Sequence, residues 1–83
     1  MIIQTGRHTY AERWGIRISE QRHLRGLDVP GLAEVLGVSR QAVRSWETGK
    51  YPPSDTHRIK IARFFNMEPN ALFDLRLDDE VAA

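Results

Sequence analysis

Two short helical patterns separated by a single glycine limit the possible folds of this chain more than any other feature. The first pattern places three apolar side chains at helical spacing: Leu32, Ala33 and Leu36. Gly37 follows it, and the second pattern begins after Ser39 with Ala42, Val43 and Trp46. Glycine supplies the left-handed conformation that ends a helix, and serine is a favoured N-cap. The segment therefore predicts two helices that cross at a tight turn, a helix-turn-helix.

A further helix is predicted ahead of this pair. Thr9 and Glu12 have the spacing of a capping box, which marks a helix start. Gly15 interrupts the stretch, so we expect the regular part of the helix to run from about residue 16 to residue 25. Gly26 then closes it, and Asp28 is a suitable N-cap for the helix that follows.

Two more helices are predicted after the pair. Ser54 or Asp55 caps a fourth helix, and Pro69 opens a short fifth one. Ile61, Ala62 and Phe65 face inward on the fourth helix, and the fifth helix carries Leu72 and Phe73. No convincing strand is found; Ile2 and Ile3 allow an edge strand, but a disordered N-terminus is the favoured interpretation. We therefore expect a compact, all-α, five-helix domain.

Charge is distributed unevenly along the chain. Residues 1–63 hold 11 of the 12 Lys and Arg residues and 6 of the 11 Asp and Glu residues, a net charge of +5 against −4 for residues 64–83. A basic body favours a polyanionic partner, although short chains also segregate charge by chance. The expected organisation is a partly ordered extension, a helix-turn-helix domain and an acidic tail, at residues 1–15, 16–75 and 76–83.

Composition excludes several classes of protein. The absence of cysteine excludes disulfides and thiolate zinc sites, and His8, His23 and His57 fall on three separate elements, so no metal site is expected. No serine, histidine and carboxylate share a motif, and no glycine-rich phosphate loop is present, so we expect no enzyme and no cofactor. No apolar run approaches the roughly 20 residues of a membrane helix, and the start lacks a secretory signal. A cytoplasmic protein without a membrane partner is expected.

The second helix of the pair has a polar outer face. Removing the apolar positions leaves Arg40, Gln41, Arg44 and Ser45. Arginine can donate two hydrogen bonds to guanine, and glutamine pairs in the same way with adenine. The first of these residues lie in the N-terminal half of the helix. In such motifs, that end of the helix enters the major groove. A solvated helix face is the alternative, but the preceding glycine turn favours DNA recognition.

The ordered pattern resembles the lambda-repressor/Cro-like helix-turn-helix family, also called the XRE family. The matching residues are Gly26-Leu27, Leu32-Ala33, Leu36-Gly37-Val38-Ser39, Val43, Trp46-Glu47, Gly49-Lys50, Pro53-Ser54, Ile61-Ala62 and Phe64-Phe65. The resemblance covers about residues 16–75. It implies a five-helix domain that binds double-stranded operator DNA as a homodimer and regulates transcription, here as a repressor of bacterial or phage type.

The resemblance also implies roles for individual residues. Base contacts fall on Arg40, Gln41, Arg44 and Ser45, and phosphate contacts on Ser39, Thr48 and Lys50. Arg22 and Glu47 match a structural ion pair between the first helix and the end of the recognition helix. The chain departs from the family at Val29, where many members place a phosphate-contacting glutamine, and at Gln21 and Leu24 in the first helix.

Two sets of apolar residues allow protein contacts. Tyr10, Trp14 and Ile18 recur every four residues, and packing beneath the first helix is favoured over a partner-binding stripe. A short last helix cannot bury all of its apolar residues in a monomer, which indicates a dimer seam formed by Leu72, Phe73, Leu75 and Leu77. The N-terminal residues are the alternative dimer contact.

Two other functions remain open at the level of sequence. An antitoxin would bind its operator and would also contact a toxin protein through residues 1–15. A protein-interaction module would keep the fold without binding DNA, but the polar outer face that includes Arg40, Gln41 and Arg44, together with Lys50, argues against it. A DNA-binding transcriptional regulator is therefore the preferred interpretation.

Overall fold

The computed structural model describes residues 9–73, and this range contains five α-helices and no strand. The helices are α1 (Tyr10–Leu24), α2 (Val29–Leu36), α3 (Arg40–Thr48), α4 (Asp55–Phe64) and α5 (Pro69–Leu72). The predicted all-α, five-helix architecture is confirmed. The alternatives for Ile2 and Ile3, the acidic tail, and the apolar residues Leu75 and Leu77 lie outside the described residues.

Helix α1 begins at the predicted capping box but is not interrupted at Gly15 as the sequence predicted. The Thr9 hydroxyl oxygen accepts a hydrogen bond from the Glu12 backbone N–H at 3.2 Å, and the Glu12 carboxylate accepts one from the Thr9 backbone N–H at 2.8 Å. This capping box starts a helix that continues through Gly15 without a break. The predicted helix start near Thr9 is therefore confirmed, and the prediction that the regular part begins only at residue 16 is wrong.

Position 15 requires a glycine because the backbones of α1 and α3 come into contact there. A Cβ atom at Gly15 would lie 2.6 Å from the Glu47 carbonyl oxygen, and one at Gly49 would lie 2.8 Å from the Glu12 Cα atom. A glycine inside a helix costs about 1 kcal/mol relative to alanine. Here the missing side chain permits close packing of α1 against the C-terminal end of α3.

The predicted helix-turn-helix is present in α2 and α3. Asp28 caps α2 by accepting a hydrogen bond from the Gly31 N–H at 2.8 Å, and Ser39 caps α3 by accepting one from the Ala42 N–H at 3.0 Å. Gly37 takes the left-handed conformation, with φ of 70°, between the two helices. These local devices fix where both helices begin and how the chain turns between them.

One hydrophobic core joins the five helices. Its members are Trp14, Ile18, Leu32, Ala33, Leu36, Val43, Trp46, Ile61, Ala62, Phe65, Leu72 and Phe73. Trp14 and Ile18 thus pack beneath α1, as favoured, whereas Tyr10 remains at the surface with 47% of its area exposed. No helix within residues 9–73 is both long enough and apolar enough to cross a membrane.

The burial of Leu72 and Phe73 contradicts their prediction as a dimer contact. They are 2% and 8% exposed. The Trp14 ring meets the Phe73 ring edge to face at 5.2 Å, and the Trp14 indole N–H donates to the Phe73 carbonyl at 3.1 Å. The prediction failed because the first turns of α1, which were assigned to an extension, form part of the core and cover α5.

Candidate nucleic-acid interface

Helix α3 separates its side chains into a core face and a polar face. Val43 and Trp46 are buried, whereas Arg40, Gln41 and Arg44 are exposed. The i, i+1, i+4 spacing of the exposed residues places all three on one side of the helix. The structure therefore brings together three of the four residues predicted to contact bases.

Ser45 does not belong to this exposed face. Its side chain is buried, and only 5% of the residue is exposed. Helix α1 crosses this half of α3 at backbone distance, so the covered arc of α3 is wider than its apolar pattern indicates. The burial of Ser45 therefore contradicts its predicted place among the base-contacting residues of the outer face.

The Ser45 backbone carbonyl fixes the loop that follows α3. It accepts hydrogen bonds from the backbone N–H groups of Lys50 at 2.9 Å and Tyr51 at 3.4 Å. Gly49 permits this turn with a φ of 80°. The side chains of Lys50 and Tyr51 are both exposed, and the Lys50 ammonium lies 5.6 Å from the centre of the Tyr51 ring. The loop thus holds a cation beside the recognition helix.

Ser39 and Thr48 stand at opposite ends of α3. Both are exposed. The Ser39 oxygen accepts the Ala42 N–H as an N-cap, which leaves the hydroxyl proton able to donate. The Thr48 hydroxyl donates to the Arg44 carbonyl at 2.9 Å, which leaves its oxygen able to accept. Of the two, Ser39 is the better placed chemically to donate to a phosphate.

Arg22 and Glu47 form the predicted ion pair. The Arg22 Nε and Nη2 atoms donate to the two Glu47 carboxylate oxygens at 2.7 and 2.9 Å, and each side chain is 10% exposed. The third nitrogen, Nη1, donates to the Leu27 carbonyl at 2.8 Å. Hydrogen bonding to Glu47 raises the pKa of Arg22, with burial acting in the opposite direction. A permanently charged guanidinium therefore joins α1 to the end of α3 and to the start of α2.

Two of the three histidines, His23 and His57, make local contacts. His23 Nδ1 lies 2.8 Å from the Ser19 carbonyl oxygen, and His57 Nδ1 lies 2.9 Å from the Ser54 hydroxyl oxygen. Between residues 9 and 73, no three histidine, aspartate or glutamate side chains are grouped closely enough to hold a metal ion. His8 lies outside the described residues.

Two residues that shape the region around α3 were not predicted from the sequence. One is Gly15, whose role in helix crossing was mistaken for a helix interruption; its position against the Glu47 backbone becomes apparent only in three dimensions. The other is Tyr51, for which the sequence offers a weak signal. An aromatic residue between Lys50 and the Pro52-Pro53 pair is held away from any helix.

Comparison with known proteins agrees with this geometry. A family model described as helix-turn-helix matches residues 18–72. An uncharacterized HTH-type transcriptional regulator of Methanocaldococcus jannaschii is 41% identical over 64 residues, which span 77% of this chain and 96% of that protein. A second such regulator, from Archaeoglobus fulgidus, is 42% identical over 64 residues, which span 77% of this chain and 89% of that protein.

A solved structure has the same arrangement of helices. The restriction-modification controller protein C.AhdI from Aeromonas hydrophila superposes with a TM-score of 0.69 at 31% sequence identity, over 75% of this chain and 94% of that one. The match to the family model extends from α1 to the last residue of α5 and includes the whole helix-turn-helix. The chain therefore belongs to the lambda-repressor/Cro-like (XRE) helix-turn-helix family of DNA-binding transcriptional regulators.

Proposed function

We propose that the protein recognises a specific DNA site by placing α3 in the major groove, where Arg40, Gln41 and Arg44 contact base edges. The observation that supports this most directly is the exposure of these three side chains on one face of a helix whose other face is buried. Arginine and glutamine are the side chains whose paired donors and acceptors distinguish guanine and adenine in that groove.

Phosphate contacts flank the base contacts in this proposal. Ser39 at the start of α3 donates its hydroxyl proton to one strand, and Lys50 after the end of α3 neutralises a phosphate. Thr48, the last residue of α3, is also exposed and in this proposal contacts the DNA backbone. Such contacts supply most of the affinity and set the register, while base contacts supply the sequence preference.

Two copies are needed on each site. One recognition helix contacts only a few base pairs, too few to select a site within a genome. A two-fold dimer presents two recognition helices about 34 Å apart, one turn of the double helix. Because Leu72 and Phe73 are buried, the contact between copies involves other residues. Bound across a promoter, such a dimer represses transcription by excluding the polymerase.

Selection from a random duplex pool tests this function. We expect an enriched sequence with two inverted half-sites, bound with two protein chains per duplex. Arg40→Ala should weaken binding to the selected site, whereas Arg63→Ala, which removes an exposed arginine from α4, should not. The proposal fails if no sequence is enriched, or if one chain binds a site without inverted symmetry.

A further inference from the structure

We propose that Tyr51 is an additional DNA contact, whose phenol hydroxyl donates a hydrogen bond to a backbone phosphate beside the one neutralised by Lys50. This inference rests on the proposed docking of α3 in the major groove. It assigns binding to a residue outside the helix-turn-helix itself. Its contribution differs from that of Lys50 because the phenol is uncharged.

Tyr51 takes no part in the hydrophobic core, unlike most aromatic residues of the described chain. The rings of Trp14, Trp46, Phe65 and Phe73 are buried in that core, whereas Tyr51 is 56% exposed. Exposure alone has no functional meaning, since single apolar residues are common at protein surfaces. The position of Tyr51 and the rigidity of its backbone provide the argument.

The backbone of Tyr51 is attached to the recognition helix. Its N–H group donates to the Ser45 carbonyl, which also accepts the N–H of Lys50. On its other side, Pro52 disfavours helical conformations of Tyr51, and the buried Pro53 anchors the chain to the domain. The backbone of Tyr51 therefore keeps a fixed position relative to α3, and little backbone entropy remains to be lost when the residue meets DNA.

The Tyr51 ring also acts on Lys50. The Lys50 ammonium lies 5.6 Å from the ring centre, within the range of a cation–π interaction. A flexible lysine is thereby held beside an aromatic ring that ends in a hydroxyl donor. Tyrosine hydroxyls are among the side-chain groups that bond to DNA phosphates. The pair combines one charged donor and one neutral donor on a single fixed loop.

The neutral donor has a distinctive signature in binding measurements. Replacing Tyr51 by phenylalanine removes the hydroxyl and keeps the ring that holds Lys50. We expect Tyr51→Phe to weaken binding about three- to tenfold per half-site, on the selected site and on unrelated duplex alike. The dependence of affinity on salt should stay unchanged, because no charge is lost and counterion release is the same.

Three further variants complete the test, each compared by fluorescence anisotropy across a salt series. Tyr10→Phe removes the hydroxyl of another exposed tyrosine, whose ring packs edge to face against Trp14, and should bind as the parent protein does. Tyr51→Leu should bind more weakly than Tyr51→Phe, because Lys50 loses its aromatic support as well. Lys50→Ala should reduce the salt dependence.

The outcomes separate this inference from the function on which it rests. If Tyr51→Phe binds as tightly as the parent protein, or if only Tyr51→Leu binds more weakly, the hydroxyl makes no contact and the inference is wrong. If Arg40→Ala and Lys50→Ala also leave binding unchanged, the proposed surface itself is wrong. Equal thermal midpoints for the tyrosine variants show that any loss of affinity reflects binding rather than folding.

Discussion

The two flanks of α3 differ in charge and in the way they are built. On its N-terminal flank, an open cleft of about 690 Å³ lies between the starts of α2 and α3, and its charged lining residues are Asp28, Glu34 and Arg40. The C-terminal flank is the loop from Thr48 to Tyr51, with Lys50 as its charged residue. In the proposed complex, the C-terminal flank is therefore the one that attracts DNA phosphates.

A single arginine couples these two flanks. Arg22 donates to Glu47 at the end of α3 and to the Leu27 carbonyl just ahead of the Asp28 cap. Both flanks are thus positioned from α1, and a change in one contact of Arg22 disturbs the other. Because the buried Arg22 guanidinium positions both flanks, we expect their arrangement to be sensitive to mutation of this residue or of its partner.

Breaking the Arg22–Glu47 pair should produce the largest effect. Glu47→Ala leaves the Arg22 guanidinium largely removed from water without its carboxylate partner, which typically costs about 3–5 kcal/mol. Small domains are stable by only about 5–15 kcal/mol, so the free energy of unfolding should fall by a large fraction. Chemical denaturation of Glu47→Ala should be compared with Glu34→Ala, which removes an exposed carboxylate from α2. Equal unfolding midpoints would rule out a structural role for the pair.

Arg44 provides the next largest effect and tests whether α3 itself supplies specificity. Arg44→Ala should cost about 1–3 kcal/mol of binding free energy per half-site and relax the preference at one base pair. The measurement compares the selected site, a variant with one base pair changed and an unrelated duplex. A loss of equal size on all three duplexes would make Arg44 a phosphate contact and extend the attractive flank onto the helix.

The local parts of this surface could be predicted from the sequence. The start of α2 at Asp28, the turn at Gly37 and the start of α3 at Ser39 depend on hydrogen bonds within a few residues. Such signals are encoded in the neighbouring sequence itself. The family resemblance added the Arg22–Glu47 pair, which no local pattern indicates.

The errors all concern contacts between residues distant in sequence. Gly15 was interpreted as a helix break, whereas its missing side chain admits the backbone of α3. Ser45 was placed on the outer face because it is polar, whereas the structure buries it. Leu72 and Phe73 were assigned to a dimer seam because the turn of α1 that contains Trp14 was not expected to cover them. The errors at Gly15 and at Leu72 and Phe73 therefore share one cause, the assignment of the first turns of α1 to an extension.

Lys50 tests the attractive flank directly. Lys50→Ala removes one phosphate contact, so binding to every duplex should weaken and the slope of log affinity against log salt should fall in magnitude by about one per half-site. Lys60→Ala is a suitable control, since it removes another exposed lysine, on α4. A change in base preference with an unchanged salt slope would instead assign Lys50 to base recognition.

Asp28 tests the opposite flank, and its expected effect is the smallest. Asp28→Asn keeps an N-cap acceptor for the Gly31 N–H and removes only the negative charge, so stability should change little. A unit charge several ångströms from a phosphate interacts in water by up to about 1 kcal/mol, so its removal should tighten binding about two- to fivefold at low salt. The gain should shrink as salt is added, because exposed charges are screened.

Glu68→Gln is the control that gives the Asp28 measurement its meaning. It removes an equal charge from an exposed residue ahead of α5 whose side chain makes no capping hydrogen bond. Both variants raise the net charge of the protein by one, so a general effect of net charge on DNA affinity appears in both. If only Asp28→Asn binds DNA more tightly, the repulsion that was removed acted between the start of α2 and a phosphate. Equal gains would mean that DNA senses the charge of the whole domain, and the contrast between the flanks would then have no influence on binding.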